Sequence, residues 1–463
     1  MAALALMTAA CSNSDNDILT PAEQPAKAQG IPFTATISMG ESASTRALSE
    51  DNVNNKIVAT WAVDDKVALI HNGVKDEMTV SAVNAGVATI TGTITGYPSY
   101  PSDGDAVTII YPATAADGTT GNVKANLLAA QDGTLATIAA NYDVRKGTGT
   151  LKVSGTASLN GNVSLTNQFA IFKFTLSGQS IDAPHPLVIK KGENEVVTTV
   201  TPASSMTSVY VAMPAAASST YRFIVTTDNN KYIKSGTAAI TAGNYYQTTL
   251  DLSTPRYPLA LASATVDDLG SVIASNGKIY LKNAAIPSGE SAVAKIAYLG
   301  DGDNSDDTYN HGLALALADV SETKWCLQWS ETCLPTQYST AETAKGDMAG
   351  IANTDYLIDH APAGHTHNAA KAARDYSVTR PTGTSAWFLP SAGQWDKMAN
   401  AAGGYENLGL PKADGYWSST ESNASSDAGN HSSAWYFDAD VHDGKWEDNR
   451  KDDLNHVRAC LAF

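Results

Sequence analysis

The residues able to do chemistry crowd toward one end of this chain. Between Ser422 and His456, 19 of 35 residues are Asp, Asn, Ser or His. Such a run is too polar to form a core. With Tyr436 and Arg450 interspersed, it has the composition of a recognition surface. Polar loops on a rigid frame are where binding function collects. The frame is legible in the same region. Of eight tryptophans, seven lie beyond residue 320: Trp325, Trp329, Trp387, Trp395, Trp417, Trp435 and Trp446. Burying one large aromatic gains roughly 1.5–3 kcal/mol or more, so this set predicts a separate, stiff core.

Other clusters point to chemistry less well. His360, His365 and His367 follow Asp359 in Asp-His-Ala-Pro-Ala-Gly-His-Thr-His. A His-x-His pair on an extended segment suits zinc, but no third ligand with motif spacing accompanies it, and a hydrogen-bonding loop is expected. The stretch from Asp301 to Asp307 alternates oxygens as a calcium loop does. It lacks glycine at loop position six, and Gly312 stands where a bidentate Glu belongs. Cys326 and Cys333 are close enough in sequence to pair in an exported chain, leaving Cys460 buried or unpaired. No nucleophile elbow, phosphate loop or paired-carboxylate arrangement is evident. The expectation is therefore no catalytic residue, no metal, no cofactor and no enzyme activity.

The whole chain has 463 residues, about three domains' worth. It carries 30 Lys and Arg against 47 Asp and Glu, a net charge of -17. An acidic chain without a basic stripe is a poor partner for nucleic acid. At 43% hydrophobic residues it can build ordinary cores, and it contains no apolar stretch long enough for a spanning helix. The opening Met-Ala-Ala-Leu-Ala-Leu-Met-Thr-Ala-Ala-Cys ends an apolar run in small residues before Cys11. Leu-Met-Thr-Ala-Ala-Cys resembles a bacterial lipobox, though without a basic n-region. The acidic residues after Cys11 resemble a surface-export tether. Lipidation of Cys11, with more than one acyl chain, would anchor the chain to a membrane.

Residues 31–252 are rich in short β-branched runs bounded by Gly, Asp, Asn and Pro, as in antiparallel sandwiches. The segment between Tyr111 and Leu165 reads as long loops with weak strands. Trp61-Ala62-Val63-Asp64-Asp65-Lys66-Val67, Ile110-Tyr111-Pro112, Leu165 to Phe174 and Thr241 to Leu250 resemble the fimbrillins, lipoprotein pilins of type V pili. The resemblance spans about residues 31–253 and implies two transthyretin-like sandwiches, divided near residue 165. It also implies processing. A protease would cut between Arg46 and Ala47 and release the strand at residues 33–39. A strand from another pilin subunit would then fill the opened groove by β-augmentation.

Past residue 254 the composition changes. Helices are expected at residues 369–375 and 391–402, the second capped by Ser391. Trp387 to Trp395, Gly415 to Glu421, Ala434 to Phe437 and Val457 to Phe463 resemble the C-type-lectin-like fold of variable proteins diversified by retroelements. In those systems adenine mutagenesis changes Asn codons but cannot create Trp, Lys or Glu. The resemblance thus makes Trp435, Trp446, Lys445, Glu447 and Lys451 framework. It makes Asn423, Asn430, His431, Tyr436, Asp438, Asp440, His442, Asp443, Asp448, Asn449 and Arg450 ligand contacts.

The combined expectation is a mainly β chain. Residues 1–30 are signal and tether, 31–165 and 166–253 tandem sandwiches, and 254–463 an α+β lectin-like domain. Its function would be that of an outer-membrane lipoprotein and fimbrial tip adhesin, binding a host or microbial surface protein or glycan. The alternatives are a surface binder on a β-sandwich stalk outside any pilus, and an enzyme of the formylglycine-generating type.

Overall fold

The computed structural model describes residues 30–39, 49–51, 56–58, 60–96, 100–326, 332–361, 366–411, 415–424, 433–438 and 445–463. The chain is mainly β, with several sheets and short helices confined largely to its last third.

The first strand, Ile31–Ser38, buries Phe33, Ala35 and Ile37 and turns the residues between them outward, the period of two that a half-buried strand requires. It is flanked on both sides. Val87–Ile94 pairs with it antiparallel along its whole length, and Thr156–Leu159 and Val163–Ser164 pair with it parallel. From Val87–Ile94 the sheet continues through Val74–Asn84, Lys66–His71, Ala106–Tyr111 and Arg145–Ser154. Arg145–Ser154 turns a corner. Residues 145–150 pair with Ala106–Tyr111, while residues 151–154 pair with Thr156–Leu159. The hydrogen-bonded ring therefore closes, and its interior is filled by Phe33, Ile37, Trp61, Leu69, Ile90 and Ile109.

A ten-residue strand thus stands where the sequence reads as long loops with weak strands. The glycines that weaken its signal are there for steric reasons. A Cβ on Gly147 would lie 2.7 Å from Leu165 Cδ2, and one on Gly149 2.7 Å from Val163 Cγ2. Only a bare backbone lets residues 163–165 lie against this strand.

Two further sheets face each other across a core containing Phe174, Leu187, Ile189, Val209, Val211 and Val225. One has the order Ser208–Pro214, Phe169–Ser177, Tyr245–Asp251. The other runs Lys231–Ile240, Ala216–Thr226, Leu187–Lys191, Glu195–Val200, Ala130–Gln131. Ala130–Gln131 comes from the earlier part of the chain and crosses to this sheet. The Gln131 amide secures it, donating to the Ala212 carbonyl at 2.8 Å and accepting from the Ala212 N–H at 2.9 Å.

The last third has a six-stranded sheet ending in Ala292–Leu299, Gly312–Ala316 and Cys460–Ala462. Its second sheet has the order Ser321–Lys324, Leu454–Val457, Gly415–Ser422, Ser433–Asp438, Lys445–Arg450. Helix Ala392–Ala402 begins as expected. Ser391 caps it in a reciprocal box with Gln394, and Gly403 ends it at φ 78°. Helix Asn368–Arg374 matches the other expected segment to within a residue. Helix Gly350–Asp359 was not expected; it buries only Gly350, Thr354 and Leu357, too thin a stripe to read.

Charged groups meet between the second pair of sheets and the last third. The Asp267 carboxylate takes Lys190 at 3.2 Å and Arg222, and its carbonyl takes Lys231. Asp268 is fully buried and accepts from Arg256, from the Tyr257 hydroxyl at 2.7 Å and from the Thr265 N–H at 2.8 Å.

Candidate ligand-binding edge

Gly415–Ser422, Ser433–Asp438 and Lys445–Arg450 are successive antiparallel strands, with Lys445–Arg450 at the sheet edge. The register sets Ala434 opposite Asn449, Tyr436 opposite Glu447, Trp435 opposite Asp448, and Ser433 opposite Arg450. Side chains alternate along a strand. Tyr436, Asp438 and Asn449 therefore share one face, and Asp448 and Arg450 lie on the other with Trp435 and Phe437. The edge strand brings the two sets together at its rim. Arg450 and Asn423 are exposed, while Tyr436, Asp438, Asp448 and Asn449 are half-buried. The positions Asn430, His431, Asp440, His442 and Asp443 lie outside the described residues, as do Cys11, Arg46 and Ala47.

The described rim is pre-organised. The Tyr436 hydroxyl donates to Glu447 at 3.0 Å, and burial with the neighbouring carboxylate pushes this phenol up to about 12. Arg450 forks onto Asp452, with both contacts at 3.0 Å. Glu447, assigned to the frame by its type, is what orients Tyr436.

Beneath the rim the aromatic residues make the expected core. Trp395 and Phe437 meet edge to face with centroids 4.8 Å apart, and Tyr416 stacks on Phe437 at 5.4 Å. The indole N–H groups of Trp435 and Trp417 find acceptors, as burial demands. Trp435 donates to the Tyr338 carbonyl at 3.1 Å, and Trp417 to that of Thr323 at 2.9 Å. Sequence reasoning missed the polar pin of this frame. Glu421 and Lys451 are both fully buried and form an ion pair. Glu421 also accepts the N–H groups of Cys333 and Leu334, at 2.9 Å and 2.6 Å, and the Gln337 amide at 3.2 Å. The sequence signals were a Glu inside a run of serines and threonines and Lys451, assigned to the frame by its type.

The acidic loop from Asp301 to Asp307 is tied into the fold. Asp303 is buried and accepts from the Ile351 N–H and the Gln394 amide, both at 2.8 Å, tying its loop to two helices. His360 is exposed and stacks on Tyr356 at 3.9 Å, whereas His367 is buried at the start of the next helix; His365 lies outside the described residues. No disulfide joins Cys326, Cys333 or Cys460. Among the described residues no helix is long and apolar enough to cross a membrane.

A second concavity lies in the middle of the chain. An apolar cleft of about 340 Å³ opens between the edge strands Lys231–Ile240 and Tyr245–Asp251, floored by Phe172, Phe174, Phe223 and Leu250.

No protein-family model matches the chain, and no curated protein matches it. Among solved structures it is similar to a fimbrial protein from Bacteroides ovatus. That match has 13% identity and a TM-score of 0.31, and covers 94% of this chain and 99% of the other. It is also similar to a fimbrial assembly protein from Parabacteroides distasonis, at 12% identity and a TM-score of 0.24, covering 48% of this chain and 90% of the other.

Proposed function

We propose that this protein is a pilin-type adhesin of the bacterial surface, anchored through Cys11, with residues 254–463 presenting a ligand-binding rim on a C-type-lectin-like frame. The placement of Ile31–Ser38 carries the reading. It is a strand flanked on both sides, whose Phe33, Ala35 and Ile37 plug the first core. Cutting after Arg46 would free a segment whose departure opens a slot of matching length. Strand addition to that slot restores both hydrogen-bond ladders. Residues Cys460–Ala462 are paired with Leu313–Leu315, which commits them to their own sheet rather than to a neighbour. The ligand, a surface protein or glycan, is read by Asn423, Tyr436, Asp438, Asp448, Asn449 and Arg450, together with Asn430, His431, Asp440, His442 and Asp443.

One contact favours a second reading, a stalked surface binder that keeps its strand. Arg145 donates to the Met39 carbonyl at 2.8 Å while paired with Asp143 at 3.1 Å, clamping the end of Ile31–Ser38. Digestion with an arginine-specific protease separates the two. For the pilin, cleavage after Arg46 is followed by uptake of an added peptide of the strand's sequence. Retention of residues 31–39 with no uptake establishes the stalk. A protein and glycan array, probed with the full chain and with Arg450→Ala, tests the rim; equal signals would remove Arg450 from it.

A further inference from the structure

Cys326, Cys333 and His367 come from three separate places in the chain. Cys326 follows the strand Ser321–Lys324, Cys333 lies seven residues on, and His367 precedes helix Asn368–Arg374. Their ligand atoms all lie within 4.8 Å of one another. Zn–S bonds of about 2.3 Å and Zn–N bonds of about 2.0 Å, at tetrahedral angles, need donors roughly 3.5–3.8 Å apart. Movements of an ångström or less bring this set to that spacing.

The histidine is already prepared. Its Nδ1 faces the Leu357 carbonyl, which can only accept, so Nδ1 carries the proton. The Nε2 lone pair is left for the sulfurs. An outer hydrogen bond of this kind fixes the tautomer and orientation of metal-binding imidazoles. The ring is also held against Trp325, centroids 5.9 Å apart. Cys326 and His367 are 1% and 4% exposed, so the site is dry on one side.

The charges fit a divalent ion. Lys451 Nζ lies 3.6 Å from Cys333 Sγ and pairs with Glu421, whose carboxylate accepts the Cys333 N–H. Glu421 and Lys451 cancel, and two thiolates cancel a dication. The lysine N–H remains to stabilise one thiolate. A Cys₂His donor set with thiolate sulfur and imidazole nitrogen selects zinc over calcium or magnesium.

We propose that Cys326, Cys333 and His367 form a zinc site, with the fourth position taken by a small exogenous ligand. The ion would join Cys326 and Cys333 to the start of helix Asn368–Arg374, beside the Glu421–Lys451 pin. Binding displaces two thiol protons, so uptake strengthens as pH rises.

The test uses the full chain, purified under reducing conditions, stripped with a chelator and titrated with Zn²⁺ alone. Calorimetry is expected to show one ion per chain with proton release. Co²⁺ in its place is expected to give thiolate charge-transfer absorption and tetrahedral ligand-field bands. Cys326→Ser and Cys333→Ser abolish the charge-transfer pattern or halve it, and His367→Gln weakens affinity roughly tenfold or more. Near-ultraviolet circular dichroism reports whether each variant is folded. A folded variant that still binds as wild type overturns the site. So does a reduced wild-type chain that takes up no Zn²⁺, or a Cys326–Cys333 disulfide in protein isolated from its native surface.

Discussion

Glu421 and Lys451 pin a loop and two strands where no water reaches them. Removing one partner of a buried pair strands the other charge and costs about 3–5 kcal/mol. Glu421→Gln is therefore expected to lose stability of that order in urea unfolding, and the double change Glu421→Gln with Lys451→Met to recover part of it. Asp268 carries a pH signature. Burial alone would raise its pKa, but Arg256, the Thr265 N–H and the Tyr257 hydroxyl outweigh burial and hold it below the ordinary aspartate range. The unfolded chain lacks these partners. The stability they contribute is present above the ordinary aspartate pKa and is lost as pH falls through the lowered one. Asp268→Asn is expected to be less stable at neutral pH and to show a flatter acid limb. An unchanged acid limb in denaturant titrations at several pH values would contradict this.

Strands decide the architecture, and the least conspicuous strand decides most. Arg145–Ser154 closes the first ring, and its glycines accommodate the side chains of residues 163–165. Gly149→Val places methyl groups where Val163 already sits. Overpacking of this kind costs about 1–3 kcal/mol. The expected result is a loss of that size in equilibrium unfolding; Ser at Gly155, where a Cβ meets nothing within 4 Å, controls for added bulk, although its positive φ adds strain of its own. At the rim, the alternation along Ser433–Asp438 and Lys445–Arg450 is what splits the candidate contacts between two faces. A ligand of the proposed rim would therefore approach the sheet edge rather than one flat side.

Across the whole molecule, the second pair of sheets meets the last third at a cluster of charged groups. Asp267 gathers Lys190, Arg222 and Lys231. Asp267→Asn leaves Lys190 and Arg222 without their carboxylate, while Lys231 keeps the backbone carbonyl. The expected outcome is a lower thermal midpoint for the last third, followed by tryptophan fluorescence, because seven of the eight tryptophans report from there. A midpoint equal to wild type would show that the seam contributes nothing to cohesion.

The sequence by itself determined the β-rich class, the tryptophan-braced core near the end and the start of helix Ala392–Ala402, because period, aromatic content and capping residues act locally. Residues 422–456 read as too polar for a core, yet among the described ones Ser422, Ser433, Lys451 and Asn455 are buried. What only the tertiary structure decided depends on residues meeting across long separations. Gly147 is small because Leu165 lies over it, Glu421 is tolerated because Lys451 reaches it, and Cys326, Cys333 and His367 converge because a strand, a loop and a helix end there. A histidine or cysteine carries no local mark of such a meeting. Tyr436 and Arg450 likewise face apart because of register, which is set by hydrogen-bonded pairing with a neighbouring strand and not by either residue's own type.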